Sequence, residues 1–454
     1  MSHRQKNRPH ALRGLARLRT VGLMMALSIA LPTAFASPEY LPSSAATPLS
    51  SSAQSIEARV RQLGYSRNLS ATALAAQLTQ GLNTDLEKLY AIYRWITDHI
   101  EYDTQAYFSG ELRSATGATN TYARGKAVCD GYADLLVVMG RSVGLDIEKI
   151  EGYAKGYDHV GGYEYANSKA PEKPNHVWNA VRLGKSWYLL DPTWDAGAID
   201  KYTRQFKHNT ESLDFFLADP AIFVTTHFPA DAKWQLLDEK INFPQFLSLV
   251  ELSPDVQTWK LDVTRHRQYG ITATDVPYAF NFGPHVPNLS GYLERDGERL
   301  PGNWALHVRT PQGESKLLVA APRPGEYDFS VHVQKNSTDT QTHQVLSYKV
   351  RFPDANAAGV GFPTTFSGYQ EKQIRLQEPL QGTLKAAQPV VFRLQAPGAS
   401  SVVLFQNGSL IKTLDAADGT SFLGQAQLQP GEVFVFAMYG NSPSFTGLLK
   451  YQVQ

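Results

Sequence analysis

The sequence predicts an α+β protein whose mixed N-terminal domain is followed by two antiparallel β-sandwich domains of Ig-like type. Apolar residues recur at helical spacing between residues 84 and 143, and two strand-like runs joined by a tight turn follow at 176–194. Beyond residue 250, short β-type runs alternate with Pro, Gly and Asn turns, a pattern typical of β-sandwiches. The expected parts are a signal peptide, a flexible linker, the mixed domain and the two β-sandwich domains, at residues 1–36, 37–55, 56–248, 249–352 and 353–454.

The composition is that of a globular protein, since 43% of the 454 residues are hydrophobic and 19% are charged. These fractions exclude a wholly disordered chain and a coiled coil. The formal net charge is +1, but six Lys or Arg residues lie in the first 36 residues, which contain no acidic residue. The rest of the chain holds 37 basic against 42 acidic residues, so we expect no nucleic-acid partner.

The first 36 residues have the pattern of a secretory signal. A basic segment precedes the apolar run Val21–Leu31, Pro32 follows it, and small residues stand at Ala34 and Ala36. Eleven apolar residues span about half a bilayer, which favours cleavage after Ala36 over a retained membrane anchor. We therefore expect a secreted or periplasmic protein, in which the Ser-, Ala- and Pro-rich stretch at 37–55 is a flexible linker.

Two helices are expected in the mixed domain. Thr84 and Glu87 have the spacing of a capping box at the start of the first helix. Its apolar stripe consists of Leu86, Leu89, Tyr90, Tyr93, Ile96 and Ile100. The polar stretch at 109–120 is expected to be a loop, and the second helix begins near Cys129 and ends at Gly144.

Extended segments follow the helices. They lie at 147–157, 176–183 and 186–194, with a polar loop at 158–174. The two-residue turn at 184–185 fixes how the last two strands pair. In that register His176 lies opposite Thr193 and shares a face with Asp191, at a Cα separation of roughly 7–8 Å. A shift of one residue would place the two side chains on opposite faces.

Cys129 is the single cysteine of a chain that we expect to enter an oxidising compartment. It is either a small buried hydrophobic residue or a nucleophile. The first turn of a helix favours the thiolate, which also needs an imidazole to accept its proton and a third group to orient that imidazole. Because His176 and Asp191 supply these two groups, the sequence predicts a Cys129-His176-Asp191 catalytic triad.

Each member of the triad also has an ordinary structural explanation. A histidine on a strand is commonly structural, and Asp before Pro commonly forms a turn, so only the joint arrangement favours catalysis. Asn175 and Asn179 are expected to give hydrogen-bond support. The histidines without a comparable partner pattern are His99, His159, His208 and His227. The aromatic residues expected to pack rather than to bind substrate are Trp178, Trp187, Tyr188 and Trp194.

The C-terminal region contains a faint internal repeat. Pro324-Gly325-Glu326 and Pro430-Gly431-Glu432 lie 106 residues apart, and each precedes a strand-like run. Similar segments, 346–350 and 449–453, follow in both copies. Two tandem β domains of about 100 residues each explain this spacing, and the alternative is a turn-and-strand composition that both segments share.

Three blocks of residues resemble the transglutaminase-like cysteine-enzyme superfamily, and within it the kyphoscoliosis peptidase branch. They are Cys129-Asp130-Gly131-Tyr132-Ala133, Asn175-His176-Val177-Trp178-Asn179 and Trp187-Tyr188-Leu189-Leu190-Asp191-Pro192-Thr193-Trp194. His227-Phe228-Pro229 and Trp234-Gln235-Leu236-Leu237 are similar to the segment that closes the core of that branch, in which β-sandwich domains also follow. The resemblance covers about residues 84–245.

The resemblance implies a papain-like α+β core that forms a thioester with a peptide or carboxamide carbonyl. Cys129 would be the nucleophile, His176 the general acid and base, and Asp191 the carboxylate that orients the imidazole. The backbone N–H of Cys129 would form part of the oxyanion hole, with Gln105 or Tyr102 as candidates for the second donor. The sequence has no acidic loop of the EF-hand kind, so we expect neither a metal nor another cofactor.

The predicted function is that of an exported cysteine peptidase or amidase. Its substrates would be peptides or proteins, such as envelope proteins or peptidoglycan stem peptides. A protein-glutamine transglutaminase uses the same thioester with an amine as the acceptor, and no motif in the sequence distinguishes the two reactions. The remaining alternative is a non-catalytic envelope protein that serves binding or scaffolding.

Overall fold

The computed structural model describes residues 52–65, 68–157, 159, 168–209, 212–253, 256, 259–284, 286, 288–334, 341–353, 361–440 and 444–454. The predicted signal peptide at 1–36 and most of the predicted linker at 37–55 lie outside these residues, as does much of the polar loop at 158–174. Within the described part of the chain, no helix is long and apolar enough to span a membrane.

The N-terminal domain mixes helices and strands. Its helices are α1 (Ala53–Gln62), α2 (Ala71–Leu78), α3 (Asp85–His99), α4 (Thr104–Ser109), α5 (Ala118–Arg124), α6 (Cys129–Ser142), α7 (Pro192–Ala196), α8 (Pro220–Phe223) and α9 (Phe243–Ser248). Its strands are β1 (Glu101–Tyr102), β2 (Lys126–Ala127), β3 (Asp146–Ala154), β4 (His176–Leu183), β5 (Ser186–Leu190), β6 (Gly197–Ile199), β7 (Phe206–His208), β8 (Phe216–Ala218) and β9 (His227–Pro229). Short 3₁₀ helices lie at Leu112–Ser114 and Ala232–Gln235.

A five-stranded antiparallel sheet with the strand order β8-β5-β4-β3-β9 organises this domain. Ile147, Val181 and Leu190 extend from one face into the apolar core that α1, α2, α3 and α6 form. The opposite face carries Trp178, which packs against Phe223 of α8. Because both faces are covered, the sheet gives firm support to residues at its ends.

The two predicted helices are confirmed. At the start of α3, the Thr84 hydroxyl accepts a hydrogen bond from the Glu87 N–H, and the Glu87 carboxylate accepts one from the Thr84 N–H. Helix α6 begins at Cys129 itself. Gly144 follows the end of α6 at a φ of +93°, a conformation that favours glycine after a helix.

The stretch predicted as a loop at 109–120 contains helical turns, so that prediction is wrong in part. A 3₁₀ helix at Leu112–Ser114 precedes α5, which packs against α6. Thr121 and Tyr122 of α5 are buried. Its sequence is polar and short, so tertiary packing rather than apolar periodicity stabilises it.

The hairpin of β4 and β5 has the register predicted from its turn. Leu183 pairs with Ser186, and the pairing continues without a shift to Asn179 and Leu190. Gly184 in the turn has a φ of +63°, as a tight two-residue hairpin turn requires.

The pairing ends at that point, so the predicted extension of the second strand to Trp194 is wrong. Asp191 is the N-cap of helix α7, and Pro192 is its first residue. Proline offers no N–H to a strand partner, while its fixed φ suits the start of a helix. The expected cross-strand pair of His176 with Thr193 therefore does not form.

Residues 270–453 are rich in β structure. The first set of strands is β10 (Gly270–Thr272), β11 (Tyr278–Pro284), β12 (Asn288–Arg295), β13 (Glu298–Arg299), β14 (Ala305–Arg309), β15 (Glu314–Val319), β16 (Gly325–Gln334) and β17 (His343–Phe352). The second set is β18 (Thr364–Thr365), β19 (Arg375–Glu378), β20 (Thr383–Leu384), β21 (Pro389–Gln395), β22 (Ala399–Gln406), β23 (Ser409–Thr413), β24 (Asp415–Ala416), β25 (Ser421–Gln427), β26 (Gly431–Tyr439) and β27 (Phe445–Val453). A short helix, α10 (Ser367–Glu371), lies within the second set.

Each set forms two sheets around an apolar core, and the core of the second set also includes Leu306 and Ala320 from the first. The sheets are β10-β17-β16-β12-β13 and β11-β15-β14 in the first set, and β18-β27-β26-β22-β23, with β20 beside β27, and β19-β21-β25-β24 in the second. Two sheets that enclose one core form a sandwich. The internal repeat falls on equivalent strand pairs, because Gly325 pairs with Phe352 and Gly431 pairs with Val453. The Ig-like classification and the domain boundaries stay predictions.

We predict that Gly131→Ala destabilises the N-terminal domain. A Cβ atom at Gly131 of α6 would lie 2.2 Å from Thr121 Oγ1 and 2.6 Å from Ala127 Cβ, so α5 and α6 would have to separate. Overpacking of this kind costs about 1–3 kcal/mol. Calorimetry should give a lower unfolding temperature. Gly64→Ala is the matched control, because nothing lies within 4 Å of the added atom, and an equal effect of both variants would contradict the explanation.

Candidate active site

Cys129 and His176 meet where helix α6 begins and strand β4 begins. Cys129 is the first residue of α6, and its side chain is partly exposed. Cys129 is also close enough to His176, the first residue of β4, to be among the groups that raise the pKa of its imidazole. The fold therefore places these two predicted site residues near each other, although 47 positions separate them in the chain.

Asp191 contacts the same imidazole. His176 Nε2 lies 2.6 Å from Asp191 Oδ2, and the two residues are 8% and 0% exposed. Since Nε2 is engaged by the carboxylate, Nδ1 is the nitrogen left for the Cys129 thiol. One ring nitrogen is thus bound to the carboxylate and the other is available to the sulfur, the arrangement that a base between a nucleophile and an orienting group requires.

The electrostatics of the pair favour an imidazolium beside a carboxylate. Burial alone would lower the pKa of His176, but the charge of Asp191, its hydrogen bond and the contact with Cys129 raise that pKa to about 10. Burial alone would raise the pKa of Asp191, whereas the charge and hydrogen bond of His176 and the hydrogen bond of His227 hold it below its ordinary value of 3.8. A buried charge is tolerated here because each partner compensates the other.

Asp191 is also a helix cap, so its ordinary structural explanation is correct. Its Oδ1 accepts hydrogen bonds from the backbone N–H groups of Thr193 at 2.8 Å and Trp194 at 3.2 Å. Oδ2 is thereby turned towards the imidazole. The cap and the triad contact use different oxygens of one carboxylate.

His227 is the residue that sequence reasoning missed. Its Nε2 lies 3.1 Å from Asp191 Oδ2, and its side chain is fully buried, so the expectation that it lacks a partner pattern is wrong. Strand β9 places it there by pairing His227 with Ala154 of β3. This contact spans 36 residues and follows from sheet order, which neither local spacing nor the hairpin turn reveals.

The short helix α7 is anchored through Asp195. The hydroxyl of Tyr93 in α3 donates to Asp195 Oδ2 at 2.5 Å, and the hydroxyl of Ser212 donates to Oδ1 at 2.8 Å. Burial raises the pKa of Asp195 to about 7. This network ties the helix that Asp191 caps to the N-terminal helical core.

Asn175 and Asn179 give hydrogen-bond support, as predicted. The Asn175 side chain accepts from the N–H of Ala154 at 2.8 Å and donates to its carbonyl at 3.1 Å. The Asn179 side chain donates to the carbonyls of Ala133 in α6 and Glu148 in β3. These bonds fix the start of β4 relative to its neighbours.

His176, Asp191 and His227 are the one group of three possible metal ligands found among the described residues. Both imidazoles are at hydrogen-bond distance from the same carboxylate oxygen. An ion bound there would have to replace both of these hydrogen bonds. The arrangement therefore fits a shared hydrogen bond, and the residues do not call for a metal.

A cavity of about 680 Å³ opens beside His176. Its aromatic lining residues are Tyr102, Tyr107, Tyr153, Tyr157, Trp194, Phe206, Phe243 and Phe246. Trp194 therefore belongs to the cavity wall, which corrects the expectation that it only packs. Lys155 is the one Lys, Arg, Asp or Glu among the described lining residues, and burial lowers its pKa to about 8.

Of the two candidates for the second oxyanion donor, Tyr102 has the better position. It lines the cavity, and burial raises its pKa, as does its electrostatic interaction with Cys129. Gln105 is exposed on α4. Tyr102 thus lies at the cavity and near enough to Cys129 to interact with it.

Residues 72–192 match the family model of the Transglutaminase-like superfamily, which confirms the resemblance carried by the three motif blocks. Kyphoscoliosis peptidase of Homo sapiens is 39% identical over 173 residues, which are 38% of this chain and 25% of that protein. Hillarin of Drosophila melanogaster is 28% identical over 188 residues, which are 39% of this chain and 22% of that protein. The chain thus spans about a quarter of the length of these relatives.

Among solved structures, the chain is similar to one titled "Crystal structure of a TGase", at 16% identity and a TM-score of 0.21. The match covers 32% of this chain and 33% of that one. A TM-score this low adds nothing to the description of the fold.

We predict that Asp191→Asn lowers the pKa of His176 from about 10 to below its ordinary value of 6.5. The neutral amide removes the charge that opposes burial, so the buried imidazole loses its proton more easily. Because the wild-type pKa is raised, pairing of His176 stabilises the fold fully below about pH 6.5 and is lost as the pH rises through about 10.

An NMR titration of the imidazole resonances measures this change. Asp231→Asn is the control, since Asp231 is an exposed cap of a 3₁₀ helix and should leave the His176 titration unaltered. A titration midpoint that Asp191→Asn leaves in place would show that Asp191 does not set the charge of the imidazole.

Proposed function

We propose that the N-terminal domain is a cysteine peptidase or amidase that acts through a thioester on Cys129. The observation that carries the proposal is the position of the His176 ring, which is hydrogen-bonded to the Asp191 carboxylate, lies near Cys129 and lines an open cavity. Membership of the transglutaminase-like superfamily and the likeness to a protein named as a peptidase support the same chemistry. A buried triad without an adjacent cavity would give no such support.

In the first half-reaction, the Cys129 sulfur attacks the carbonyl carbon of a peptide or carboxamide bond. The carbonyl π electrons move to oxygen, and His176 carries the proton taken from the thiol. When the tetrahedral intermediate collapses, the C–N bond breaks and His176 delivers that proton to the leaving amine or ammonia. The acyl group then remains on sulfur as a thioester.

In the second half-reaction, water attacks the thioester. His176 accepts a proton from the water, the C–S bond breaks, and the carboxylic acid leaves as the thiol is restored. An amine that takes the place of water would give cross-linking instead. Asp191 keeps the imidazole oriented and stabilises its charged form in both steps.

The charge that develops on the carbonyl oxygen needs donors. The backbone N–H of Cys129 is at the positive end of helix α6, where helix N–H groups are free to bind an anion. We assign the second donor to the hydroxyl of Tyr102, because it lines the cavity near the sulfur. Two donors aimed at one oxygen form an oxyanion hole.

The cavity suggests the substrate class. Its wall includes eight Tyr, Trp and Phe residues, and none of the described lining residues is an acid. Such a wall favours a peptide segment with apolar side chains over a cationic one. We further propose that the protein is exported through the N-terminal signal, so that its partners would be peptides or proteins of the envelope.

We predict that iodoacetamide alkylates Cys129 at pH 6 at least about tenfold faster than free cysteine, because a position in the first turn of a helix beside an imidazole makes a thiol more reactive. Mass spectrometry should find the adduct on Cys129. Cys129→Ala should abolish labelling and acyl transfer at an unchanged unfolding temperature. A thiol that reacts only after unfolding would instead favour a non-catalytic binding protein.

The same preparation distinguishes the two acceptors. With a glutamine-bearing protein and a fluorescent primary amine, a hydrolase releases the acid or ammonia without incorporating the amine, even when the amine is abundant. Incorporation that depends on Cys129 would identify a transglutaminase and refute the hydrolytic assignment.

We predict that Tyr102→Phe slows acylation by a peptide p-nitrophenyl ester about 10²-fold, the effect of losing one oxyanion donor. Alkylation by iodoacetamide develops no oxyanion, so its rate should stay within twofold of the wild type. Gln105→Ala is the control and should leave both rates near the wild type. Equal acylation by Tyr102→Phe and the wild type would remove Tyr102 from the oxyanion hole.

A further inference from the structure

We propose that His227 is a positioning residue of the site: as a neutral imidazole it donates a hydrogen bond to Asp191 Oδ2 and so fixes the carboxylate on which His176 depends. This inference rests on the proposed function, because it concerns how the triad is held. It adds a fourth side chain to the three that the sequence motifs identify.

Asp191 receives a full set of donors only when His227 is included. Oδ1 accepts from the N–H groups of Thr193 and Trp194, and Oδ2 accepts from the ring nitrogens of His176 and His227. A fully buried carboxylate that lacks a donor is costly, because water cannot replace the missing bond. The second donor to Oδ2 is thus His227 of β9, a strand that lies outside the three motif blocks.

The surroundings of His227 fix its orientation and allow the tautomer that the proposal needs. Its ring stacks on Phe223 at a centroid distance of 4.1 Å and contacts Trp194 at 4.4 Å. Its Nδ1 lies 2.8 Å from the hydroxyl of Thr226, which is also 3.3 Å from the Phe223 carbonyl. When this hydroxyl donates to Nδ1, the proton of the neutral ring is on Nε2, where Asp191 accepts it.

The charge state of His227 also fits this role. The ionisable groups that face it are Asp191 on the cap of α7 and His176 on β4. Burial lowers the pKa of His227 to about 4, while the Asp191 hydrogen bond and charge only partly oppose this. A neutral donor holds the carboxylate without competing with the imidazolium of His176 for its negative charge. A cationic residue at this position would destabilise that imidazolium.

The alkylation rate of Cys129 as a function of pH tests the proposal. His227→Phe keeps a ring but removes the donor, so we expect the rate at pH 6 to fall about tenfold, as for the loss of one hydrogen bond to a charged group. At pH 9.5 alkylation of a thiol no longer needs a neighbouring base, so the rate should stay within twofold. His227→Gln retains an N–H donor and should keep at least half of the wild-type rate at pH 6.

The control variant is His208→Phe, which replaces an exposed histidine on β7 and should leave the profile unaltered. In the wild type, ¹⁵N NMR should find His227 neutral with its proton on Nε2 between pH 5 and 8, a result that needs no folded variant. Titration of His227 in that range would overturn the proposal. A wild-type profile in folded His227→Phe would overturn it too, as would an equal loss in His227→Phe and His227→Gln. Failure of the proposed function itself is distinguishable, since wild-type Cys129 would then react like free cysteine.

Discussion

The site depends on the burial of one carboxylate. Asp191 is fully buried and negatively charged, so each of its lone pairs must find a donor within the protein. The donors come from the first turn of α7, from the start of β4 and from β9. These three segments are brought together by the sheet order, and the carboxylate can stay charged only when all of them are in place. The charge state of the site therefore depends on the fold of the N-terminal domain.

The end of strand β5 supplies the donors for one of the two carboxylate oxygens. If the strand continued, the backbone of Asp191 would form hydrogen bonds to the neighbouring strand. Its side chain would then point out of the sheet and could not cap a helix. Pro192 stops the ladder and starts α7, so that Asp191 becomes a cap whose Oδ1 is satisfied by the helix while Oδ2 is available to the imidazoles. The bond from Tyr93 to Asp195 then fixes α7 to the helical core.

Sequence patterns correctly predicted those elements that depend on interactions between residues close in the chain. The turn at 184–185 gave the correct register, because a two-residue hairpin leaves no freedom in the pairing. The predicted second strand is wrong from Asp191 onward, where the chain leaves the ladder, and His176 contacts Asp191 beyond the end of the strand pairing. Local signals also do not reveal the contact of His227 with Asp191, because it depends on β9 pairing with β3, segments about 70 residues apart. Helix α5 was not predicted, because its stability comes from packing rather than from an apolar stripe.

The wall of the cavity is supported by residues that directly precede the first set of β strands. Phe243 and Phe246 of α9 form part of that wall. At the C-terminal end of α9, the carbonyl of Ser248 accepts from the N–H of Tyr269 at 2.8 Å, and the N–H of Val250 donates to the carbonyl of Arg267 at 2.7 Å.

On the cavity side, Lys155 donates to the carbonyl of Leu249 at 2.6 Å and lies over the Phe246 ring. The predicted domain boundary at 248–249 is thus a hydrogen-bonded junction, and a change in the position of residues 267–269 would act directly on α9. Because α9 forms part of the cavity wall, the β region that follows the N-terminal domain contributes to the shape of the cavity in which the proposed function would place a substrate.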